Sequence, residues 1–117
     1  MDDLVERLSN KQSIDFESRA DTLEEVKERL TEMKFVFITF TETKGGTELG
    51  IEVDIDLTDI KNADFDKGTG VISVVGTCIL NYQKVRCNAE VDLFTKKGIG
   101  YLEPLDSNNN PILATMH

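Results

Sequence analysis

Two cysteines in the stretch GTCILNYQKVRC are the residues of this chain whose spacing most readily suggests chemistry. Cys78 and Cys87 lie on either side of a sequence that reads as a tight turn between two strands. Cysteines directly opposite each other on antiparallel strands have Cα atoms about 4.5 to 5.5 Å apart, which a disulfide can bridge. The pair can therefore be interpreted as a disulfide, half of a metal site, a redox pair or two small core residues.

The rest of the chain favours free, buried thiols. Zinc would need two more soft ligands, and the sole histidine is the terminal residue His117. A thiol nucleophile would need a neighbouring base, for which the chain offers no candidate. The acidic start MDDLVERLSN lacks the basic and apolar pattern of a secretory signal, and disulfides are rare in the reducing cytosol. We therefore predict a cytoplasmic protein whose two thiols pack as small hydrophobic groups.

A cluster of aspartates is the second feature that could do chemistry. The stretch DIDLTDIKNADFDKG contains five of them, and DFDKG has the opening spacing of a calcium-binding loop. Such a loop closes with a glutamate at its twelfth position, where this chain has Val75 or Ser73, depending on the starting residue. The glycines of GTGVISVVG lead into a strand rather than a helix, so they do not form a phosphate-binding loop. The sequence predicts no catalytic residues, no metal and no cofactor.

Charge narrows the range of partners. With 13 basic and 22 acidic side chains the net charge is -9, so most of the surface repels phosphate backbones and anionic membranes. There is also no apolar run of 18 residues that could cross a bilayer. We expect no direct nucleic-acid binding and no membrane association. The expected partner is another protein with a basic surface, or a second copy of the chain in a homodimer.

The predicted helices and strands, which position the cysteines and aspartates, fit within one domain of 117 residues. Residues 1–34 are predicted to be helical, with a short helix in DDLVERL and a second helix in TLEEVKERLTEM, where Thr22 and Glu25 form a capping box. The stretch SIDFESRAD between them has no periodicity and is interpreted as a linker anchored by Ile14 and Phe16. Residues 104–117 are expected to be a tail or a short last strand.

Residues 35–103 alternate in polarity and predict five antiparallel strands in meander order. A turn at Gly45-Gly46 would place Phe40 opposite Ile51. A turn centred on Tyr82-Gln83 would place Cys78 opposite Cys87, and a turn at TKKG would place Phe94 opposite Gly100. The predicted fold class is therefore α+β, with one or two N-terminal helices packed on a curved antiparallel five-stranded β-meander.

The outward face of this predicted sheet carries a mixed apolar and acidic surface. A single helix covers only one side of the sheet. The other side carries Val71, Val75 and Ile79 as well as larger groups, and either the first helix and the C-terminal tail cover it or part of it stays exposed. Exposed apolar residues rimmed by charge are typical of interaction surfaces. The predicted partner-binding residues are Phe35, Phe37, Glu52, Asp54, Asp56, Glu90, Asp92 and Phe94.

These observations favour a non-enzymatic acidic protein-binding module of the adaptor, chaperone, inhibitor or immunity type, in which the carboxylate rim steers a basic partner. Two alternatives stay open. One is a small-ligand-binding or enzymatic α+β domain with a pocket between sheet and helix. The other is a structural or assembly component of a phage or virion.

Overall fold

A closed barrel of six antiparallel strands, connected in chain order, dominates the computed structural model, which describes residues 3–17 and 20–112. Helix α1 (Asp3–Leu8) precedes the barrel, and helix α2 (Leu23–Glu28) with a π-helical segment (Arg29–Met33) lies between the first two strands. The strands are β1 (Gln12–Phe16), β2 (Phe35–Phe40), β3 (Thr47–Val53), β4 (Val71–Leu80), β5 (Gln83–Asp92) and β6 (Lys97–Pro104).

Strand β1 is the element that overturns the predicted fold class. All of it except Gln12 lies in the predicted linker. It pairs with both β2 and β6, so that Ile14 lies opposite Phe40 on one side and Gly98 on the other. The five-stranded meander under N-terminal helices is therefore wrong, because a sixth strand closes the sheet on itself and the chain is mostly sheet. Ile14 and Phe16 are buried as predicted, but as strand residues of the barrel core.

Helix α2 begins where the capping box predicts. The Thr22 hydroxyl accepts a hydrogen bond of 3.1 Å from the Glu25 amide, and the Glu25 carboxylate accepts one of 2.7 Å from the Asp21 amide. The α-helix is shorter than the predicted helical stretch TLEEVKERLTEM, because it changes to π-helical geometry at Arg29. The helical segment ends before Lys34, which has a φ of 54°. Met33, the last residue of the π-helical segment, is exposed.

Two hairpins have a different register from the predicted one but keep the same inward face. In the β2–β3 hairpin Phe40 pairs with Thr47, because the connection spans residues 41–46 and not only the two glycines. In the β4–β5 hairpin Cys78 pairs with Val85, and the turn residues are Asn81 and Tyr82. Both registers are shifted from the predicted ones by an even number of residues. Because side chains alternate with a period of two, an even shift leaves each residue on its predicted face of the sheet.

The β5–β6 hairpin departs from the prediction by an odd number of residues. Strand β5 ends at Asp92, which pairs with Lys97, so Phe94 lies in the turn and not opposite Gly100. The Asp92 carboxylate accepts a hydrogen bond of 2.8 Å from the Phe94 amide, which stabilises this turn. The ring of Phe94 is 77% exposed as a result.

The barrel interior is filled by apolar side chains from all six strands, with Val26 and Leu30 of the helical segment packed against it. Residues 113–117, the end of the segment predicted to be a tail or a short last strand, lie outside the described residues. The fully buried strand residues include Ile14, Phe16, Val36, Ile38, Phe40, Ile51, Ile72, Val74, Val85, Cys87, Val91 and Leu102.

Candidate functional site

The candidate site lies where the barrel is least completely paired, between β3 and β4. These strands share only two residue pairs, Glu52 with Thr77 and Val53 with Gly76, although both strands continue past the first pair. Continuing the register would place Gly50 opposite Ile79, but the ladder stops before that position. A groove of about 430 Å³ lies at this point, which we call the seam groove; its lining residues are Phe35, Gly50, Glu52, Thr77, Cys78, Ile79 and Lys84.

Main-chain polar groups face each other across the seam groove. The amide of Asp54 donates to the carbonyl of Val75 at 2.8 Å, which shows that even-numbered residues at this end of β3 point their peptide groups towards β4. Peptide groups alternate in direction along an antiparallel strand. Gly50 and Ile79 therefore direct their N–H and C=O groups at each other's strand, at a position where neither has a partner in the ladder.

Apolar side chains form the outer wall of the seam groove. The ring of Phe35 lies on Gly50 so closely that a Cβ at position 50 would be 2.5 Å from its Cζ atom, so any larger residue there would displace the ring. Phe37 contacts Phe35 edge to face, with ring centroids 5.4 Å apart. Ile79 is 73% exposed. The hairpin tip next to it carries Tyr82, fully exposed with a φ of 68°, a conformation that is rare for a bulky side chain.

The two sides of the seam groove differ in charge. The β3 side has the exposed carboxylates of Glu48 and Glu52. On the β5 side Lys84 lies opposite Ile79, and its ammonium donates a 2.7 Å hydrogen bond to the side-chain oxygen of Asn109. The lysine is thus held against the C-terminal segment, and the β3 side of the groove is acidic.

The predicted binding residues are divided between two places. Phe35 and Glu52 line the seam groove, and Phe37 contacts the ring of Phe35. Asp54 and Asp56 follow β3 directly, and the Asp54 carboxylate accepts the Asp56 amide at 3.1 Å.

The other three predicted residues lie at the far end of the β4–β5 hairpin: Glu90, Asp92 and Phe94. Glu52 is opposite Thr77 and Asp92 is opposite Val71. The six residue steps along β4 from Val71 to Thr77 span about 20 Å at about 3.3 Å per step. The eight residues therefore do not form one continuous surface.

Five of the lining residues are not among the predicted binding residues: Gly50, Thr77, Cys78, Ile79 and Lys84. The alternation of β4 places Ile79 on the outward face with Val75, and this signal was sufficient to find it. Gly50 and Lys84 belong to the site only because the β3–β4 ladder ends early, which depends on the barrel closure.

The cysteines lie at different depths and are both free. Cys87 is buried in the core and faces Gly76, whereas Cys78 is half-buried and lines the seam groove. Burial raises the pKa of the Cys78 thiol to about 11. Burial, and to a smaller extent the neighbouring Cys78, raises the pKa of Cys87 to about 12. Both groups are therefore thiols at neutral pH, and neither is activated as a nucleophile.

We expect iodoacetamide at pH 8 to modify both thiols slowly and Cys78 at least about tenfold faster than Cys87, because Cys78 is the more accessible group and forms more thiolate. Mass spectrometry of the native protein over time measures both rates. Unfolding in urea is the control and should make the two rates similar. Equal rates in the native protein would contradict the burial of Cys87.

A second groove, of about 290 Å³, lies on the outside of β4, β5 and β6. Two of its polar side chains already have neighbours: Asn88 donates to the Glu103 carboxylate at 2.7 Å, and the Lys11 ammonium lies 5.9 Å from the centre of the Tyr101 ring. The strands beneath it are continuously paired from Val71 to Leu80 and from Val85 to Pro104. It therefore lacks the interrupted ladder that distinguishes the seam groove.

The aspartate-rich connection after β3 is organised by its own backbone. The Asp64 carboxylate, for example, accepts the amides of Asp66 and Lys67, each at 3.0 Å. Among residues 3–17 and 20–112, no three histidine, cysteine, aspartate or glutamate side chains come together as a metal-binding group. The helices in this part of the chain are too short and too polar to cross a membrane.

Comparison of the chain with protein-family models and with curated proteins gave no match. The functional conclusion therefore depends on the geometry and charge of the seam groove.

Proposed function

We propose that this chain is a non-enzymatic protein-binding module that receives a basic partner at the seam groove. The observation that carries the proposal is the early end of the β3–β4 ladder beside the exposed side chain of Ile79. Exposed apolar groups next to unsatisfied pairing positions are typical of surfaces that another protein covers. An adaptor, a chaperone, an inhibitor and an immunity protein would all act through such a surface.

Charge supports the choice of a basic partner. The net charge of -9 attracts cationic proteins over long range and opposes the approach of a second copy of this chain. At short range, Glu52 lines the seam groove and Glu48 lies two residues from Gly50 on the same face of β3. The free state of both cysteines is in keeping with residence in the cytoplasm, which we include in the proposal.

The barrel interior does not favour the small-ligand alternative. Apolar side chains fill the space between the strands and the helical segment, where Val26 and Leu30 are fully buried. A pocket between sheet and helix, which that alternative requires, is occupied by the protein's own core. The seam groove is on the outside of the barrel, where its main-chain groups and mixed charge suit a protein better than a small apolar ligand.

Two charge reversals of equal size test the proposed function. Glu52→Lys changes the seam groove, and Glu90→Lys makes the same change in net charge at the opposite end of the hairpin, where Glu90 is exposed opposite Ser73. A partner captured from extract of the native cell is purified and titrated with each variant by calorimetry. We expect Glu52→Lys to weaken binding at least about tenfold and Glu90→Lys less than about threefold, with binding to the unmodified protein weakening as salt is added.

Equal losses for the two variants would show that binding depends on net charge and not on the seam groove. Binding that is insensitive to both variants would contradict the proposed site.

A further inference from the structure

We infer that the seam groove binds its partner by strand addition: an extended segment of the basic partner enters between β3 and β4 and forms main-chain hydrogen bonds with Gly50 and Ile79. This inference rests on the proposed protein-binding function and specifies how the partner is held. Extended peptides commonly bind at sheet positions where strand edges lack partners, with main-chain hydrogen bonds supplying affinity and alternate side chains supplying specificity.

The peptide groups of Gly50 and Ile79 point into the seam groove, where an added strand could bind them. On β3, the amide of Val53 donates to the carbonyl of Lys34 towards β2, at 2.8 Å, whereas Asp54 donates towards β4. Gly50 is an even number of residues from Asp54, so its N–H and C=O groups also point towards β4. On β4, the carbonyl of Val75 accepts from β3, and Ile79 has the same parity as Val75. An incoming strand meets N–H and C=O groups on both sides.

The main-chain N–H and C=O groups of Ile79 make no hydrogen bonds to β5. Strand β4 turns into β5 through the two residues Asn81 and Tyr82, both with positive φ, which makes Leu80 and Gln83 the hydrogen-bonded pair that closes the hairpin. Ile79 is then a non-hydrogen-bonded position with respect to β5. Its amide can be removed without breaking that ladder.

The side chains around the seam groove specify the chemistry of the incoming segment. Residues of the segment that point inward meet the half-buried thiol of Cys78, which suits apolar side chains. Residues that point outward meet Phe35 and Ile79 and the acidic side of β3 at Glu52. Lys84, the cationic lining residue, is held by Asn109. An extended segment that alternates apolar and basic residues matches both sides.

A blocked eight-residue peptide of alternating valine and lysine is the probe for this mode of binding. We expect it to shift the NMR signals of the Gly50 and Ile79 amides when it is titrated into the isotope-labelled full chain. The same sequence with every backbone nitrogen methylated has the same charge but cannot donate main-chain hydrogen bonds, so it should bind at least about tenfold more weakly. The alternating valine and glutamate peptide tests charge and should also bind at least about tenfold more weakly.

Ile79→Pro and Ile79→Ala form the matched pair of variants. Proline removes the amide that faces the seam groove and leaves the β5 ladder intact, whereas alanine removes the side chain and keeps the amide. We expect Ile79→Pro to weaken binding of the valine–lysine peptide at least about tenfold and Ile79→Ala less than about threefold. Thermal melting of both variants checks that the barrel is folded, and the methylated peptide keeps the test valid if Ile79→Pro does not fold.

Equal binding of the methylated and unmethylated peptides, or signal shifts confined to residues outside the seam groove, would overturn strand addition. A different result distinguishes the failure of strand addition from the failure of the proposed function. If a captured partner binds Ile79→Pro as well as the unmodified protein but loses affinity for Glu52→Lys, strand addition is wrong and the protein-binding function stands.

Discussion

Replacing Gly98 with alanine should destabilise the protein by more than about 4 kcal/mol, an effect that is exceptional for the addition of one methyl group. Gly98 lies in β6 between Val91 of β5 and Ile14 of β1, at the closure of the barrel. A Cβ at this position would overlap the main-chain oxygen of Glu90 and would lie 2.9 Å from the Cα atom of Val91. These are backbone atoms held by the β5 ladder, so no side-chain rotation relieves the overlap.

Two other glycines provide a graded comparison in equilibrium urea unfolding. Gly100→Ala would place its Cβ 3.2 Å from the Asn88 oxygen, and we expect a loss of about 1 to 3 kcal/mol. Gly45→Ala meets no atom within 4 Å and suffers only from its φ of 79°, for about 1 to 2 kcal/mol. If Gly98→Ala were no more destabilised than Gly45→Ala, β6 could not lie between β1 and β5, and the barrel would not be closed in this way.

The second large effect is expected at Glu17, a buried carboxylate directly after β1. The residue has a φ of 50° and its side chain is fully buried. Its amide donates to the Phe37 carbonyl at 2.8 Å, and its carboxylate accepts the Phe37 amide at 2.7 Å. The Glu17 side chain thus completes the main-chain pairing of β2 at the point where β1 ends.

The second carboxylate oxygen of Glu17 is less well satisfied. It lies 3.6 Å from the Nε atom of Arg29, and neither atom has a hydrogen-bond partner. Burial therefore raises the pKa of Glu17 above its ordinary value of 4.5, against the opposing effects of the Phe37 amide and of Arg29. Because the folded state keeps the proton to higher pH than the unfolded state does, the stabilisation is complete below pH 4.5 and is lost as the pH rises through the folded pKa.

Two substitutions of Glu17 separate the contribution of its hydrogen bond to stability from the contribution of its charge. Glu17→Ala leaves the buried Phe37 amide without its acceptor and leaves a cavity, so we expect a loss of about 2 to 4 kcal/mol. Glu17→Gln keeps an acceptor oxygen and resembles the protonated acid, so it should be at least as stable as the unmodified protein at pH 7 and should lose that advantage at pH 4. Arg29 keeps Glu25 as a neighbour at 3.9 Å in both variants.

Urea unfolding from pH 4 to pH 8 measures both effects, and the difference between the unmodified protein and Glu17→Gln isolates this one group from the other carboxylates. A difference in unfolding free energy that does not change with pH would contradict the raised pKa. A Glu17→Ala variant as stable as Glu17→Gln would contradict the role of the carboxylate as acceptor for Phe37.

The inward and outward faces of the longer strands could be predicted from sequence because alternation tolerates even shifts. Phe40 and Cys87 are buried although both hairpins have a different register from the predicted one. Strand β1 could not be recognised from its pattern because it is short and its two core residues, Ile14 and Phe16, sit among polar neighbours. Its strand structure depends on β2 and β6, which bind it from both sides.

In the turns and the candidate site, too, some features follow from the sequence pattern and others depend on the closed barrel. Asn81 and Tyr82 both adopt positive φ, and a tyrosine in that conformation has no clear signal in the sequence. Phe35, Phe37 and Glu52 were predicted as binding residues because their positions follow from alternation along β2 and β3. The seam groove itself depends on where the β3–β4 ladder stops, which is a property of the closed barrel and not of either strand alone.

Amide hydrogen exchange, measured residue by residue by NMR, most directly tests a closed barrel with an unpaired position between β3 and β4. The amides of Phe16 and Glu17 donate to Lys96 and Phe37, each at 2.8 Å, and should exchange as slowly as those of β5. The amides of Gly50 and Ile79 should exchange much faster than those of their strand neighbours. Fast exchange at Phe16 and Glu17 would contradict the closure, and protected amides at Gly50 and Ile79 would contradict the interrupted ladder on which the binding site depends.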